Sequence, residues 1–184
     1  DLMALYSSVP NWVGTPGQTI NSFTDFAKFP ERLDLMAVPQ DQRSAFLSPT
    51  DQWGLLGAQS GMYISGAATD AYRNGSLGKI GGIDTFMSQN APTFTTGPMG
   101  GTPLINGAAQ NTTYDTTGAN TQTLITDGWT AAAAARVVAG DVFTIAGVFD
   151  VNPVSKTTLP FLKQFVVKSN GSSDAGGNLT LTIA

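Results

Sequence analysis

The pattern of apolar positions changes near residue 95, and the part before it carries helical signals. Within "SFTDFAKFPERLDLMAVP", Phe23, Phe26 and Phe29 recur at i, i+3 and i+6, a spacing that favours one helical face. Pro30 can follow the end of this helix or open the next one, because proline is tolerated in a first helical turn. We therefore predict a helix with an aromatic face in this segment.

A short strand and a second helix are expected next along the chain. The stretch "RSAFLSP" is an apolar run stopped by proline, which favours a strand. Residues 48–51 combine a capping serine, a proline in the first turn and a carboxylate beside the N-terminal dipole, so they predict a helix start. This helix would cover "DQWGLLGAQ", although Gly54 and Gly57 lower its helix propensity.

The segment before residue 95 closes with a helical piece and another strand. The piece "AATDAYRNG" is helical in composition and ends at an Asn-Gly pair. The stretch "LGKIGGIDTFMSQ" returns as a strand. Gly81 and Gly82 inside it indicate a bulge or a close approach of another backbone.

After residue 95 the chain is rich in Gly, Thr, Asn and Pro, and residues 100–120 are expected to form loops with short strands. Three stronger strands then follow, in "DVFTIAGVF", "FLKQFVVKS" and "NLTLTI". In the last of them, alternation turns Leu179, Leu181 and Ile183 inward and the threonines outward. The run of alanines at 131–135 is helix-prone but lies among strands, so its structure stays open.

The second half is thus predicted to be a small β-barrel or sandwich. Its predicted core consists of Phe143, Ile145, Phe165, Val167, Leu179 and Leu181. A register slip of one residue would exchange the two faces of any of these strands.

Charged residues are scarce in this chain, and their scarcity limits the kinds of partner that we expect. Charged residues make up 12% of the 184 residues, the net charge is −4, and the nine Lys and Arg are scattered. No basic footprint exists for nucleic acid, so neither specific nucleic-acid binding nor binding to anionic membranes is expected. A surface poor in charge fits a chain whose faces are covered by other chains, because charged residues are depleted at interface cores.

The chain is not expected to span a membrane, and its ends suggest a fragment. No run of 18 apolar residues occurs. Asp1 is not followed by a basic n-region, so no signal peptide is predicted. The final stretch "GGNLTLTIA" stops inside a strand pattern.

Few residues of this chain are candidates for a catalytic role. The chain has no histidine and no cysteine, so acid–base work would fall to carboxylates. Asp141 and Asp150 flank one predicted strand, which would separate them by about 30 Å, whereas paired carboxylates in glycosidases lie about 5 to 10 Å apart. We interpret both as turn carboxylates that accept backbone N–H bonds, and predict no catalytic residues.

Three local patterns resemble known motifs only in part. Ser76 and Lys79 match the S-x-x-K of acyl-serine enzymes, but the glycines around them favour a strand over the required helix start. "GTPGQT" lacks the lysine of a phosphate loop and is interpreted as a Pro-Gly turn. "SNGSSDAGG" lacks the final glutamate of a calcium loop. We therefore predict no cofactor and no metal.

The tryptophans leave one alternative open. Trp53 and Trp129 could stack on sugars, although a core or interface role is commoner for isolated tryptophans. Trp129 and the Thr- and Asn-rich loops together suggest the alternative function, an extracellular β-rich carbohydrate-binding or adhesin module. An enzyme is the least favoured class.

Two long stretches resemble a known family. "AYRNGSLGKIGGIDTFMSQNAP" (residues 71–92) is similar to a segment of the major coat proteins of tailed double-stranded DNA bacteriophages, in the podovirus-type branch with an inserted β-barrel. Residues 139–183 resemble that inserted domain, and "VPQDQRSAFLSPTDQWGLL" resembles the helix–strand region before them. The family's N-terminal arm, extended hairpin and spine helix would precede Asp1. The Gly- and Thr-rich residues 100–120 leave a long inter-subunit loop in question.

The resemblance implies an α+β fold, with a fragment of the capsid shell domain at 1–94 and a small antiparallel β-barrel insertion domain at 95–184. Residues 142–149 would then fill the barrel interior. It implies a structural coat subunit, not an enzyme, that assembles with copies of itself into hexamers and pentamers around packaged DNA. Scaffolding and portal proteins would be its partners, and the virion capsid, assembled in the bacterial host, its location.

Overall fold

The computed structural model describes residues 5, 8–59, 74–108, 110, 121–131 and 135–183. This part of the chain is α+β, with two helices and ten short strands. The elements in chain order are α1 (Phe23–Leu35), β1 (Ser44–Leu47), α2 (Pro49–Gln59), β2 (Lys79–Ile80), β3 (Ile83–Met87), β4 (Gly101–Ile105), β5 (Gln122–Trp129), β6 (Ala135–Val137), β7 (Val142–Val151), β8 (Thr158–Val166), β9 (Gly171–Ser172) and β10 (Leu179–Ile183).

The chain forms two compact units. A helical unit comprises Val13–Pro92 and Asp150–Pro160. A strand unit comprises Asp1–Trp12, Thr93–Phe149 and Phe161–Ala184. The main division therefore falls between residues 92 and 93, and each unit also takes one short segment from the other half of the sequence.

Helix α1 of the helical unit begins at a side-chain cap and continues through a proline. The Ser22 hydroxyl accepts the Asp25 N–H at 3.1 Å and donates to its carboxylate at 2.7 Å. We expected Pro30 at a helix boundary, but it lies inside α1. Proline costs one backbone bond there, and the helix persists because Phe29 and Leu33, on both sides of it, pack against the core.

The expected aromatic face of α1 is only partly buried. Phe26 lies in the core and Phe29 packs against it, but 47% of Phe23 is exposed. Six residues advance a helix by about 600°, so Phe23 lies about 120° around the axis from Phe29. Side chains at i, i+3 and i+6 therefore span an arc of about 120° around the helix axis, which is wider than the side of α1 that contacts the core.

A three-stranded sheet in the order β1-β3-β2 packs beside the helices. Strand β1, which the sequence predicted, pairs in parallel with β3. Gly81 and Gly82 form the two-residue turn of the β2–β3 hairpin, with φ of +55° and +81°. They form neither the bulge nor the close backbone approach that we expected, because positive φ at both central residues produces the tight turn whose twist matches the flanking strands.

Helix α2 starts where the capping signal predicted it. The Ser48 hydroxyl accepts the Asp51 N–H at 3.2 Å and donates to the Asp51 carboxylate at 2.7 Å. The other Asp51 oxygen accepts the Ile20 N–H at 3.0 Å. A Cβ on Gly54 would meet the Ile20 carbonyl at 2.8 Å, so this glycine lets the preceding segment lie against the helix. The core of the unit contains Phe26, Ala45, Leu47, Leu55, Ile80 and Ile83.

The strand unit contains a three-stranded sheet in the order β10-β5-β4, the β6–β9 pair and the parts of the β7–β8 ribbon at 142–149 and 161–166. Within the described residues these sheets do not close into a barrel. Strand β10 alternates as predicted, with Leu179, Leu181 and Ile183 buried. The core of the unit contains Trp129, Val137, Val167, Leu179, Leu181 and Ile183.

The prediction that residues 142–149 fill an interior is wrong, since none of them is buried and most are exposed. Phe143 is half-buried, packs against the core and stacks on Phe165 with ring centroids 5.7 Å apart. Val148 and Phe149 are exposed, at 37% and 47%. The physical reason is the sheet topology: among the described strands β7 pairs only with β8, and a two-stranded ribbon does not close around an interior.

Some predictions fall outside the described residues. The helical piece "AATDAYRNG" lies there except for its last two residues. Most of the alanine run lies there too, and Ala135 is the first residue of β6. Of the predicted loop region at 100–120, the described part includes strand β4.

Candidate functional site

Asp141 is a buried turn carboxylate, as the sequence predicted. Its exposed fraction is 1%. The Gly97 N–H lies 3.2 Å and 3.3 Å from the two carboxylate oxygens, and the Val138 N–H donates to one of them at 2.7 Å. The Asp141 N–H in turn donates to the Val138 carbonyl. These bonds to backbone N–H groups use both oxygens to hold two chain segments together.

Asp150 has a different environment in the other unit. It is half-buried, and its carboxylate accepts the N–H of Val151 at 2.9 Å. Burial lowers the pKa of the Arg32 guanidinium, and the negative charge of Asp150 opposes that change. Asp150 therefore acts as a local hydrogen-bond acceptor and as a source of negative potential at Arg32.

The three partial motifs resolve into strands and turns. Ser76 and Lys79 are both exposed, and Lys79 lies in strand β2 rather than on a helix. In "GTPGQT" the Gln18 N–H donates to the Thr15 carbonyl at 3.2 Å, which is the Pro-Gly turn we expected. The acyl-serine and phosphate-loop patterns thus have no geometric support.

The stretch that resembles a calcium loop is a turn organised by one carboxylate. Asp174 Oδ1 accepts the N–H groups of Gly176 and Asn178, each at 2.8 Å. The backbone and the side chain of Asn178 lower the pKa of the Asp174 carboxyl below its ordinary value. The Asp174 carboxylate, whose oxygens the pattern suggested as calcium ligands, therefore accepts hydrogen bonds from its own turn.

Among the described residues, no cluster of three or more His, Cys, Asp or Glu could hold a metal ion. No described helix combines the length and the apolar character that crossing a membrane requires.

The two tryptophans that left a sugar-binding module open have separate roles. Trp129 is buried in the core of the strand unit, and its indole N–H donates to Thr126 Oγ1 at 2.8 Å. That hydroxyl donates to the Leu179 carbonyl at 2.6 Å, so the ring is fixed between two strands and offers no stacking surface. Trp53 on α2 is exposed.

A pair of stacked aromatic rings covers the outer face of the β1–β3–β2 sheet. Phe46 and Phe86 are register partners in β1 and β3, and their ring centroids lie 5.8 Å apart. They are 62% and 50% exposed, while the neighbours Ala45 and Leu47 are buried on the opposite face. We did not single out these residues from the sequence. The alternation within "RSAFLSP" could have indicated them, since it turns Phe46 away from the side taken by Ala45 and Leu47.

Exposed apolar side chains also occur on the strand unit. Leu104 and Ile105 on β4 and Ile125 on β5 are exposed. Beyond Ile105, the Gln110 side chain continues the ladder: its amide accepts the Ile125 N–H and donates to the Ile125 carbonyl, both at 2.8 Å. A glutamine side chain here takes the place of backbone beside β5.

A second glutamine makes the same kind of contact in the strand unit. The Gln164 amide of β8 accepts the Trp12 N–H at 2.6 Å and donates to the Trp12 carbonyl at 2.9 Å. This side-chain amide ties the backbone of Trp12 to the ribbon. Both glutamines thus use their side-chain amides to bind backbone groups within the strand unit.

Comparison with known families identifies the class of this protein. The family described as "P22 coat protein - gene protein 5" matches the chain over residues 1–184. The chain belongs to this family of phage coat proteins. No curated protein matches the chain.

Membership of this family establishes the role. The protein is a structural subunit of a phage capsid of the P22 podovirus type, and it is not an enzyme. It is located in the virion capsid, which is assembled in the host from many copies of the subunit. The resemblance noted in the sequence is thereby confirmed, and nothing supports the alternative of an extracellular carbohydrate-binding module or adhesin.

Proposed function

We propose that residues 1–94 belong to the shell domain of the coat subunit and that residues 95–184 form its inserted β-barrel domain, which projects outward and steadies the subunit. The supporting observation is that the strand unit has a hydrophobic core of its own, around Trp129 and Leu181. The helical unit has another, around Phe26 and Ile83. A domain with its own core can be inserted into a host fold without sharing the host's packing.

The proposal includes the partners of the subunit. It forms hexamers and pentamers with copies of itself, and scaffolding and portal proteins direct their assembly. The subunit encloses DNA without recognising its sequence, in line with a net charge of −4 and nine scattered basic residues. No residue of the chain is assigned a catalytic, cofactor-binding or metal-binding role.

Cryo-electron microscopy of assembled particles tests the domain assignment. A short peptide tag inserted in the turn at residues 174–178 marks the strand unit, because this turn joins β9 and β10. A tag after Gly17, in the turn at residues 15–18, marks the helical unit. The first tag should appear on the outer surface of the shell, farther from the centre than the second. Density for the first tag inside the shell wall or facing the DNA would contradict the proposed projection.

A further inference from the structure

We propose that the outer face of the β1–β3–β2 sheet, formed by Phe46, Phe86, Lys79 and Asp84, is a contact surface for a second copy of this chain in the shell; the inference rests on the coat-protein function. Below, these four residues are called the Phe46–Phe86 face. Phe46 pairs with Phe86, and Lys79 pairs with Asp84, across neighbouring strands. Register partners share one face of a sheet, so the four side chains lie together.

The two sides of this sheet are both apolar, but only one is covered within the subunit. Ala45, Leu47 and Ile83 face the core and are buried. A sheet with one solvated face normally alternates apolar residues inward with polar residues outward. Phe46 and Phe86 break this rule on adjacent strands, and their stacking shields each ring only in part, as exposures of 62% and 50% show. Exposed stacked aromatics on a regular element are typical of the centre of an interface.

The charges on the Phe46–Phe86 face favour a second copy of the same chain as its occupant. Lys79 and Asp84 carry opposite charges at one edge of the aromatic pair. In a contact between two like faces related by a two-fold axis, residue i of one copy meets residue j of the other and the reverse. Lys79 of each copy can then meet Asp84 of the other while the rings pack between them, so the face is complementary to itself. Many copies of the subunit are present in the shell, since the family assembles capsids.

Cysteine labelling in the intact coat protein tests this contact directly, because these 184 residues contain no cysteine. Phe46→Cys and Phe86→Cys are each treated with a thiol-reactive maleimide as free subunits and as assembled shells. Shells dissolved in denaturant give the reference for complete labelling. We expect fast labelling of the free subunits and at least a tenfold slower reaction in shells. Equal labelling rates in both states at both positions would overturn the proposal, while shells that still formed would leave the coat function standing.

A second variant separates assembly from folding. Phe46→Ser combined with Phe86→Ser removes both rings, and Phe23→Ser, at a similarly exposed phenylalanine on α1, is the matched control. We expect the double variant to keep the circular dichroism spectrum and the urea midpoint of the parent subunit but to assemble at least tenfold more slowly, whereas the control assembles at the parent rate. A double variant that assembles at the parent rate would overturn the proposal. So would one that lowers the urea midpoint by as much as a core substitution, because the subunit itself would then cover the face. Failure of the parent protein to form shells would instead contradict the coat function.

Discussion

At the scale of single residues, Asp141 shows how a carboxylate can hold backbone together. Its two oxygens accept N–H groups from Gly97 and Val138 in a buried position. In Asp141→Asn one oxygen becomes an NH₂ group, which cannot accept either bond and meets a donor. A buried donor left without a partner costs about 1 to 3 kcal/mol, so we expect a loss of that size in the free energy of unfolding, measured with urea.

Asp150→Asn is the matched control for this prediction. Asp150 is half-buried, and its carboxylate accepts the neighbouring Val151 N–H. Its replacement should change the free energy of unfolding by about 0.5 kcal/mol or less, as is usual away from buried networks. Equal effects of the two variants would show that the buried hydrogen bonds of Asp141 do not stabilise the fold.

For two glycines of α2 we predict opposite effects of substitution by alanine on the free energy of unfolding. A Cβ at Gly54 would lie 2.8 Å from the Ile20 carbonyl oxygen, whereas one at Gly57 would meet nothing within 4 Å. Gly57→Ala should raise the free energy of unfolding by about 0.5 to 1 kcal/mol through helix propensity. Gly54→Ala should lower it, because the contact with the backbone outweighs that gain. Thermal unfolding of the two variants checks the signs, and stabilisation by both would contradict the close packing at Gly54.

Asp174 should make stability depend on pH. The backbone and side chain of Asn178 lower the pKa of its carboxyl in the folded state. A lowered folded pKa means that the stabilisation is complete above the unfolded pKa, about 3.9, and is lost as the pH falls through the folded pKa. Asp174→Asn should therefore be less stable than the parent at pH 7, with a difference that shrinks below about pH 4. Urea midpoints at several pH values measure it, and a difference independent of pH would contradict the assignment.

At the scale of elements, two valines, one in β7 and one just after β8, have opposite environments. Val167, just after β8, is 1% exposed, whereas Val148 in β7 is 37% exposed. Val167→Ala removes two buried methyl groups and should cost about 2 kcal/mol of unfolding free energy. Val148→Ala should cost about 0.5 kcal/mol or less. Urea unfolding of both variants distinguishes them, and similar losses would mean that the outer part of the ribbon is packed after all.

Local sequence signals predicted an element well where residues close together in sequence determine its structure. The cap at Ser48 and the alternation of β10 depend on neighbours in sequence, and both are confirmed. The turn at Gly81 and Gly82 was mistaken for a bulge because the strand on each side of it is short. The exposure of Phe149 could not be predicted, since it depends on which strands pair with β7.

The candidate surface was harder to predict than the fold. An apolar residue in a strand is normally assigned to the core, and the strand around Phe46 was classified only as apolar. The parallel pairing of β1 with β3 aligns Phe46 with Phe86. This pairing joins segments about forty residues apart, and no local pattern encodes it. The hydrogen bond from Gly97 to Asp141 was likewise not predicted, because it joins residues far apart in sequence.

At the scale of the whole molecule, the composition and the exposed apolar surface agree. Charged residues make up 12% of the chain, and large apolar side chains are exposed on both units. Such surfaces carry a free-energy cost in water that association removes. Assembly of many copies of a coat subunit into a shell provides such association.

Assembly of the intact coat protein tests the central claim most directly. Purified subunits, with and without a scaffolding protein, are followed by sedimentation velocity and the products are imaged by electron microscopy. We predict closed shells of uniform size, with hexamers and pentamers resolved in the images. A stable monomer under all conditions, including those with the scaffolding protein present, would contradict the account of this chain as a structural capsid subunit.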